Sequence, residues 1–389
     1  MRSLLTMKGF LLSSLIIIFG WSAWLTINAV FSQISYMVYI LPEGFNLPAY
    51  LGIIVQLGNI APLLLLLFKP TEKYVIFFSL GAMLVATFIQ VLFWNETFNS
   101  KHSIVLYITV FVNSLCSCSS SVLYYPLMSE FPSHLLPSML FGDSLSSIVP
   151  SAIGLLQGLS LENTTINNST FFEYPSFTIK NYFFVIFLFV GASCIAYTIA
   201  IMFRKKLTLS NDPIVDTIQT YEVTEHPKPP VYLLILYVWD SFLNYGFLPI
   251  IQIFTTGPYG ATIYILSVNL QRTLDPVICI STLFYHCRNS IFAWICGVIM
   301  SITAFLLFLI SLNCPDRILP DSGALFPAVI VFLWLLFTFA ATFIKIIVCK
   351  QCMEANSLRL FGASNQIGSF LGALVGFVIV NVLKIYKCQ

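Results

Sequence analysis

The chain has 389 residues, of which 58% are hydrophobic and 9% charged, with a mean hydropathy of +0.90 and a formal net charge of +2. A water-soluble fold cannot hide that much apolar surface, so lipid is part of its solvent. The near-neutral charge and the lack of a basic patch give no footing for nucleic acid.

In chain order, apolar runs that predict spanning helices lie at 10–31, 47–68, 74–94, 104–129, 139–160, 181–203, 231–251, 261–283, 291–313, 325–347 and 360–382. Each approaches the ~20 residues that cross a bilayer as helix, and all are too long for barrel strands. The expected fold is therefore an all-α polytopic membrane protein with about eleven transmembrane helices. Arg2 and Lys8 ahead of an apolar stretch also fit a signal peptide over 1–28, but the stretch runs too long and no small-residue cleavage site follows it. The segment 204–230 opens on Arg204-Lys205-Lys206, closes on Pro227-Lys228-Pro229-Pro230, and reads as a solvated linker. It divides the chain into a six-helix bundle (1–203) and a five-helix bundle with a tail (231–389), a two-bundle arrangement suited to rocking around a central site.

With the N-terminus cytoplasmic, the inner segments carry Arg2, Lys8, Lys69, Lys73, Arg204, Lys205, Lys206, Lys228, Arg288, Lys350 and Arg359. The outer segments carry only Lys101, Lys180, Arg317, Lys384 and Lys387, the asymmetry expected of positive-inside sorting. The glycosylation sequons at Asn95, Asn163 and Asn168 fall in outer loops on the same orientation. So do Cys314 and Cys388, the only two of the ten cysteines left on the oxidising side, which makes them the natural disulfide pair. Cys349 and Cys352 form a CxxC without a second pair or a histidine, so they read as free thiols rather than a metal site.

Polar side chains within the spans are the places to look for function, because each is costly in hydrocarbon. Trp21, Trp24 and Asn28 share one face of the first span, and Gln56 and Asn59 precede Pro62 in the second. Asn113, Ser117, Ser120 and Tyr124 line a face of the fourth. The plainer reading of all these amides and hydroxyls is interhelical glue. Asp240 lies mid-span in the seventh run, and Arg272 and Asp275 are one turn apart in the eighth, where they can neutralise each other. Lys345 sits toward the inner end of the tenth and can either face a site or snorkel to the interface. Asp143 reads as interfacial, and His102, His134, His226 and His286 all lie in loops. No HExxH, GxSxG, P-loop or repeated filter loop is present, so neither an enzyme nor a channel is indicated, and no cofactor or metal.

The run 20–28 (Gly-Trp-Ser-Ala-Trp-Leu-Thr-Ile-Asn), then 41–50 (Leu-Pro-Glu-Gly-Phe-Asn-Leu-Pro-Ala-Tyr) and 55–62 (Val-Gln-Leu-Gly-Asn-Ile-Ala-Pro), resembles the N-terminal signature of the eukaryotic riboflavin transporters. Further similar stretches are 125–129, 247–249, 259–260 with Tyr264, 343–345, 366–374 and 381–383, so the resemblance runs nearly the whole chain. Phe31-Ser32-Gln33-Ile34-Ser35 departs from the family's usual Trp-Val-Glu-Leu-Pro, and Ser117, Glu130 and Arg272 stand where an acidic, a basic and an apolar residue are usual. The resemblance implies a multi-pass plasma-membrane carrier that takes up riboflavin without ATP, its C-terminus extracellular. Trp24 would stack on the isoalloxazine ring, Asn28, Gln56 and Asn59 would hydrogen-bond its polar edges, and Lys345 with Gln366 form a second candidate contact. Glu43 would organise the outer loop as a gate. Phosphorylated flavins would bind poorly for want of an arginine cluster. The rivals are a transport-inactive surface receptor, separable by uptake of labelled riboflavin, and a nucleoside carrier, separable by competition with lumiflavin.

Overall fold

A computed structural model describes residues 2–68, 71–128, 131, 135–159, 176–209, 230–281, 289–318, 323–351 and 355–386. The sequons at Asn163 and Asn168, Cys352, Cys388, His134, His226, His286, Glu130 and most of the 204–230 segment lie outside the described residues.

The first predicted span is two helices, α1 (Arg2–Gly20) and α2 (Leu25–Ile40), bent by 51° around Trp21–Trp24. The second divides into α3 (Leu47–Leu57) and α4 (Ile60–Phe68) at the turn through Gly58 and Asn59. Then follow α5 (Glu72–Phe93), α6 (Ile104–Met128), α7 (Leu136–Leu159) and α8 (Ile179–Leu209), which overruns its predicted end at 203. The seventh span is α9 (Val231–Ser241), a π-helical segment Phe242–Phe247 and α10 (Leu248–Thr256), longer than the predicted 231–251. The chain ends with α11 (Ala261–Ser281), α12 (Ser290–Ser311), α13 (Leu325–Gln351) and α14 (Ala355–Phe377).

Among the described residues, eight helices are long and apolar enough to cross a membrane, or ten when each of the two bent pairs counts as one span. The expected eleven is not reached on that criterion because α11, 21 residues long, carries Asn269, Gln271, Arg272 and Asp275. Polar residues, not insufficient length, keep it out.

Close packing depends on small residues where helices touch, since lipid gives no hydrophobic drive between them. A Cβ at Gly20 would lie 2.9 Å from the Met139 carbonyl, and one at Gly142 would run into that of Ile17, so α1 and α7 meet backbone to backbone. Gly368, Gly372 and Gly376 likewise bring α14 against the π-helical segment and α10. The first six spans pack among themselves through α1 with α7 and α8, and α5 with α6 and α8; the later ones through α11 with α13, α12 with α13 and α9 with α14. The seam between these groups is made by α2 and α7 on α11, and by α3 on α10 and α14.

At one end of the seam aromatic side chains of the two groups meet. Phe45 lies 5.9 Å from Phe254 and Tyr50 lies 5.7 Å from Phe377, ring centre to ring centre. Gly257 gives Phe45 its space, since a Cβ there would stand 2.8 Å from the ring.

Candidate functional site

Two of the sequence-predicted amides reach carbonyls that prolines have released. A proline has no N–H, so the carbonyl four residues before it loses its helical donor. Pro150 in α7 frees the Ser146 carbonyl, which accepts from Asn28 Nδ2 at 3.2 Å. Pro249 at the start of α10 does the same for Tyr245 in the π-helical segment, whose carbonyl faces Gln56 Nε2 at 3.5 Å. A π-helical turn is itself a frequent mark of a working site. Gln56 Oε1 also accepts from Asn59 Nδ2 at 2.9 Å and from Ser369 Oγ at 3.1 Å, so one buried amide joins α3, the following turn, α14 and the π-helical segment.

Trp24 stands at the bend between α1 and α2, half-buried against the apolar core. Asn28 follows one turn later, and its Oδ1 accepts from Arg272 Nη1 across the seam. The guanidinium lies over the Phe31 ring, 5.4 Å from its centre. Nearby, Ser32 Oγ donates to Asn269 Oδ1 at 2.7 Å across the same seam, and Gln33 Nε2 donates to Gln157 Oε1 at 2.6 Å.

The expected neutralisation of Arg272 by Asp275 does not occur. Asp275 Oδ1 instead accepts from Thr342 Oγ1 at 2.7 Å, and Oδ2 lies 3.3 Å from Lys345 Nζ. One helical turn puts two side chains on a face but does not choose between a neighbour on the same helix and one opposite. Lys345 therefore points inward rather than snorkelling, although it and Asp275 keep 32% and 30% of their side-chain surface exposed. Gln366 is half-buried on α14, and its backbone carbonyl accepts from Ser369 Oγ at 3.2 Å. Asp240 is fully buried, and neither carboxyl oxygen has a hydrogen-bond partner among the described residues.

Glu43 lies away from these residues, at the aromatic end of the seam. Its carboxylate accepts from the Ser103 backbone N–H at 2.5 Å, from Ser103 Oγ at 2.9 Å and from Tyr107 Oη at 2.7 Å, with His102 Nδ1 4.0 Å away. It fastens the loop after α2 to the start of α6. Asn95 is exposed on the neighbouring turn after α5.

Sequence reading passed over a second amide chain: Gln252 Nε2 donates to Gln271 Oε1 at 2.7 Å, and Gln271 Nε2 to Thr338 Oγ1 at 3.0 Å, linking α10, α11 and α13. Gln252, alone among Pro-Ile-Ile and Ile-Phe, carries the same signal that singled out Gln56.

Comparison with known proteins places the chain in a family. A model described as "Solute carrier family 52, riboflavin transporter" matches residues 8–229 and 205–388. The chain belongs to the riboflavin transporters of solute carrier family 52. Its relatives in that family include the riboflavin transporter member 3-A of Danio rerio, 28% identical with 95% of each chain covered. The human member 3 is 26% identical over 97% of each, and riboflavin transporter rft-1 of Caenorhabditis elegans is 26% identical over 98% of each. In fold, this family member is similar to a D-xylose–proton symporter (TM-score 0.59, 10% identity, 95% of this chain and 89% of the symporter). It is also similar to a variant of the nucleoside transporter NupG (TM-score 0.58, 12% identity, 95% and 90%).

Proposed function

We propose that the chain carries riboflavin across the plasma membrane by alternating access, without ATP, and that the centre of the seam holds the ligand. The observation that carries this reading is the junction at Gln56. There, α3 of the first group of helices meets α14 and the π-helical segment of the second through one buried amide. Relatives across nearly the whole chain are named riboflavin transporters. Trp24 supplies a flat wall for the isoalloxazine ring, while Asn28, Gln56 and Asn59, with Lys345 and Gln366 below them, offer hydrogen bonds to its edges. Losing one neutral hydrogen bond costs about 0.5–1.5 kcal/mol, and stranding a buried partner up to ~3. Gln56→Ala should therefore raise the Michaelis constant for labelled riboflavin roughly three- to a hundred-fold at normal surface level. Unchanged kinetics in Gln56→Ala and Asn59→Ala together would remove these amides from the site.

We read α11 as a further span beside the ten, which gives eleven, six before the 204–230 linker and five after it. The N-terminus is then cytoplasmic and the C-terminus extracellular. The aromatic closure at Phe45, Phe254 and Tyr50 faces outward, with Glu43 holding that gate to α6. Asn95, Asn163 and Asn168 are on the glycosylated side. Cys314 is disulfide-bonded, and we assign its partner as Cys388. Tyr386, two residues before it, supports the pairing: its hydroxyl is 3.0 Å from Ser311 Oγ and its ring stacks on Phe254 at 4.0 Å. Glycosidase should lower the apparent mass of the expressed protein, by less once Asn95, Asn163 and Asn168 are Gln, and non-reducing peptide mapping should recover the Cys314 and Cys388 peptides together. A mass indifferent to glycosidase, or the two peptides recovered apart, would count against this orientation.

A further inference from the structure

Arg272 is a cation within α11 that has no counter-charge among the described residues. Among the described residues no carboxylate lies within 4.0 Å of it: Asp275, on its own helix, is taken by Lys345 and Thr342, and Glu43 is held at the gate. The phenols of Tyr264 and Tyr182 are close enough to act on it electrostatically. A guanidinium carries five N–H donors. One is given to Asn28 Oδ1 and the others have no acceptor among the described residues. The Phe31 face offsets only part of what taking a cation out of water costs. Arg272 is nevertheless only partly buried, where α11 meets α2.

Asn28 gains a second role in this light. Its amide nitrogen donates to the Ser146 carbonyl and its oxygen accepts from Arg272, which leaves one N–H and one lone pair for a ligand. Held in place by the carbonyl that Pro150 frees, it also positions the fork of Arg272.

We propose that Arg272 is the docking point for an oxyanion, so that this centre, besides riboflavin, takes a planar heterocycle bearing a single carboxylate and binds it more tightly than an uncharged counterpart. A guanidinium fork matches a carboxylate in two parallel hydrogen bonds. One arginine balances one negative charge, which favours a carboxylate over a phosphate that is largely dianionic at neutral pH. The inference rests on the flavin reading above and sharpens its specificity.

The test uses the purified full chain in detergent and the quenching of flavin fluorescence on binding. A matched pair of probes differs in one charge: 10-carboxymethylflavin and 10-(2-hydroxyethyl)flavin, with riboflavin and riboflavin 5′-phosphate beside them. A charge-assisted hydrogen bond to a buried cation should make the carboxymethyl compound bind roughly ten-fold tighter than its uncharged twin. Arg272→Gln should erase that ratio, and Arg272→Lys should keep part of it. A purely structural latch between Arg272 and Asn28 would alter both dissociation constants together and leave the ratio near one in the unmodified protein. That outcome, with riboflavin still bound, overturns the anion site and leaves the flavin reading standing. If none of the four flavins binds, the flavin reading falls and the inference with it. Tightest binding by the phosphate would overturn the assignment to a carboxylate.

Discussion

Lys345→Met is expected to destabilise the protein far more than its own packing accounts for, because it leaves Asp275 as an unpaired carboxylate inside the helices. Breaking a buried ion pair from one side typically costs about 3–5 kcal/mol. Since the two side chains keep 32% and 30% exposure, the cost falls below that range, to about 2–3 kcal/mol. Asp275→Asn should cost less, because Thr342 can still donate to an amide oxygen there. The double variant Lys345→Met with Asp275→Asn should recover much of the loss, giving a coupling on the order of 1–2 kcal/mol in a double-mutant cycle. Thermal unfolding of the four purified proteins in one detergent reads this out. Strict additivity of the two single changes would show that the 3.3 Å contact carries no energy.

Gly372→Val is expected to abolish folding to the cell surface. A Cβ at 372 would collide with the Phe242 carbonyl and lie 2.9 Å from the Phe247 nitrogen, and both are backbone atoms that no rotamer can move aside. The adjacent Gly246 is equally tight, its own Cβ position 2.7 Å from the Gly372 Cα. Overpacking in a core costs about 1–3 kcal/mol, and here both neighbours are backbone, so the upper end or beyond applies. Forcing α14 off the π-helical segment would also pull Ser369 from Gln56. Gly372→Ala should show the same defect in weaker form. Normal surface levels of the valine variant would mean that this interface is looser than the geometry requires.

Hydropathy alone locates every apolar run that becomes helix, because the ~30 Å of hydrocarbon imposes a length that a sequence cannot disguise. It misses where those helices break. The unwinding at Trp21–Trp24 and the π-helical turn before Pro249 depend on what packs alongside, although the proline and the Gly58-Asn59 pair were visible markers. Polar residues in spans were equally legible as candidates, and Asn28 and Gln56 do sit at junctions between helices. Their partners were not legible. That Arg272 would turn to Asn28, 244 positions away across the seam, and Asp275 to Lys345, 70 positions away on a neighbouring helix, is decided by tertiary packing.

The polarity of α11 bears on biogenesis. A helix leaves the translocon for lipid when its summed transfer free energy is favourable, and an arginine or aspartate near the centre costs about 2.5–3.5 kcal/mol each on that scale. Arg272 and Asp275 together set about 5–7 kcal/mol against the apolar residues of α11, before Asn269 and Gln271 are counted. Among the described residues, Arg272 reaches α2, synthesised long before it, and Asp275 reaches α13, synthesised after it. On emerging from the ribosome, α11 thus has half of its partners and must wait at the translocon or beside α10 for the rest. An isolated copy in a glycosylation-based insertion reporter should fail to integrate, and should integrate once Arg272 and Asp275 are Leu; efficient integration of the unmodified helix would remove the need for any such delay.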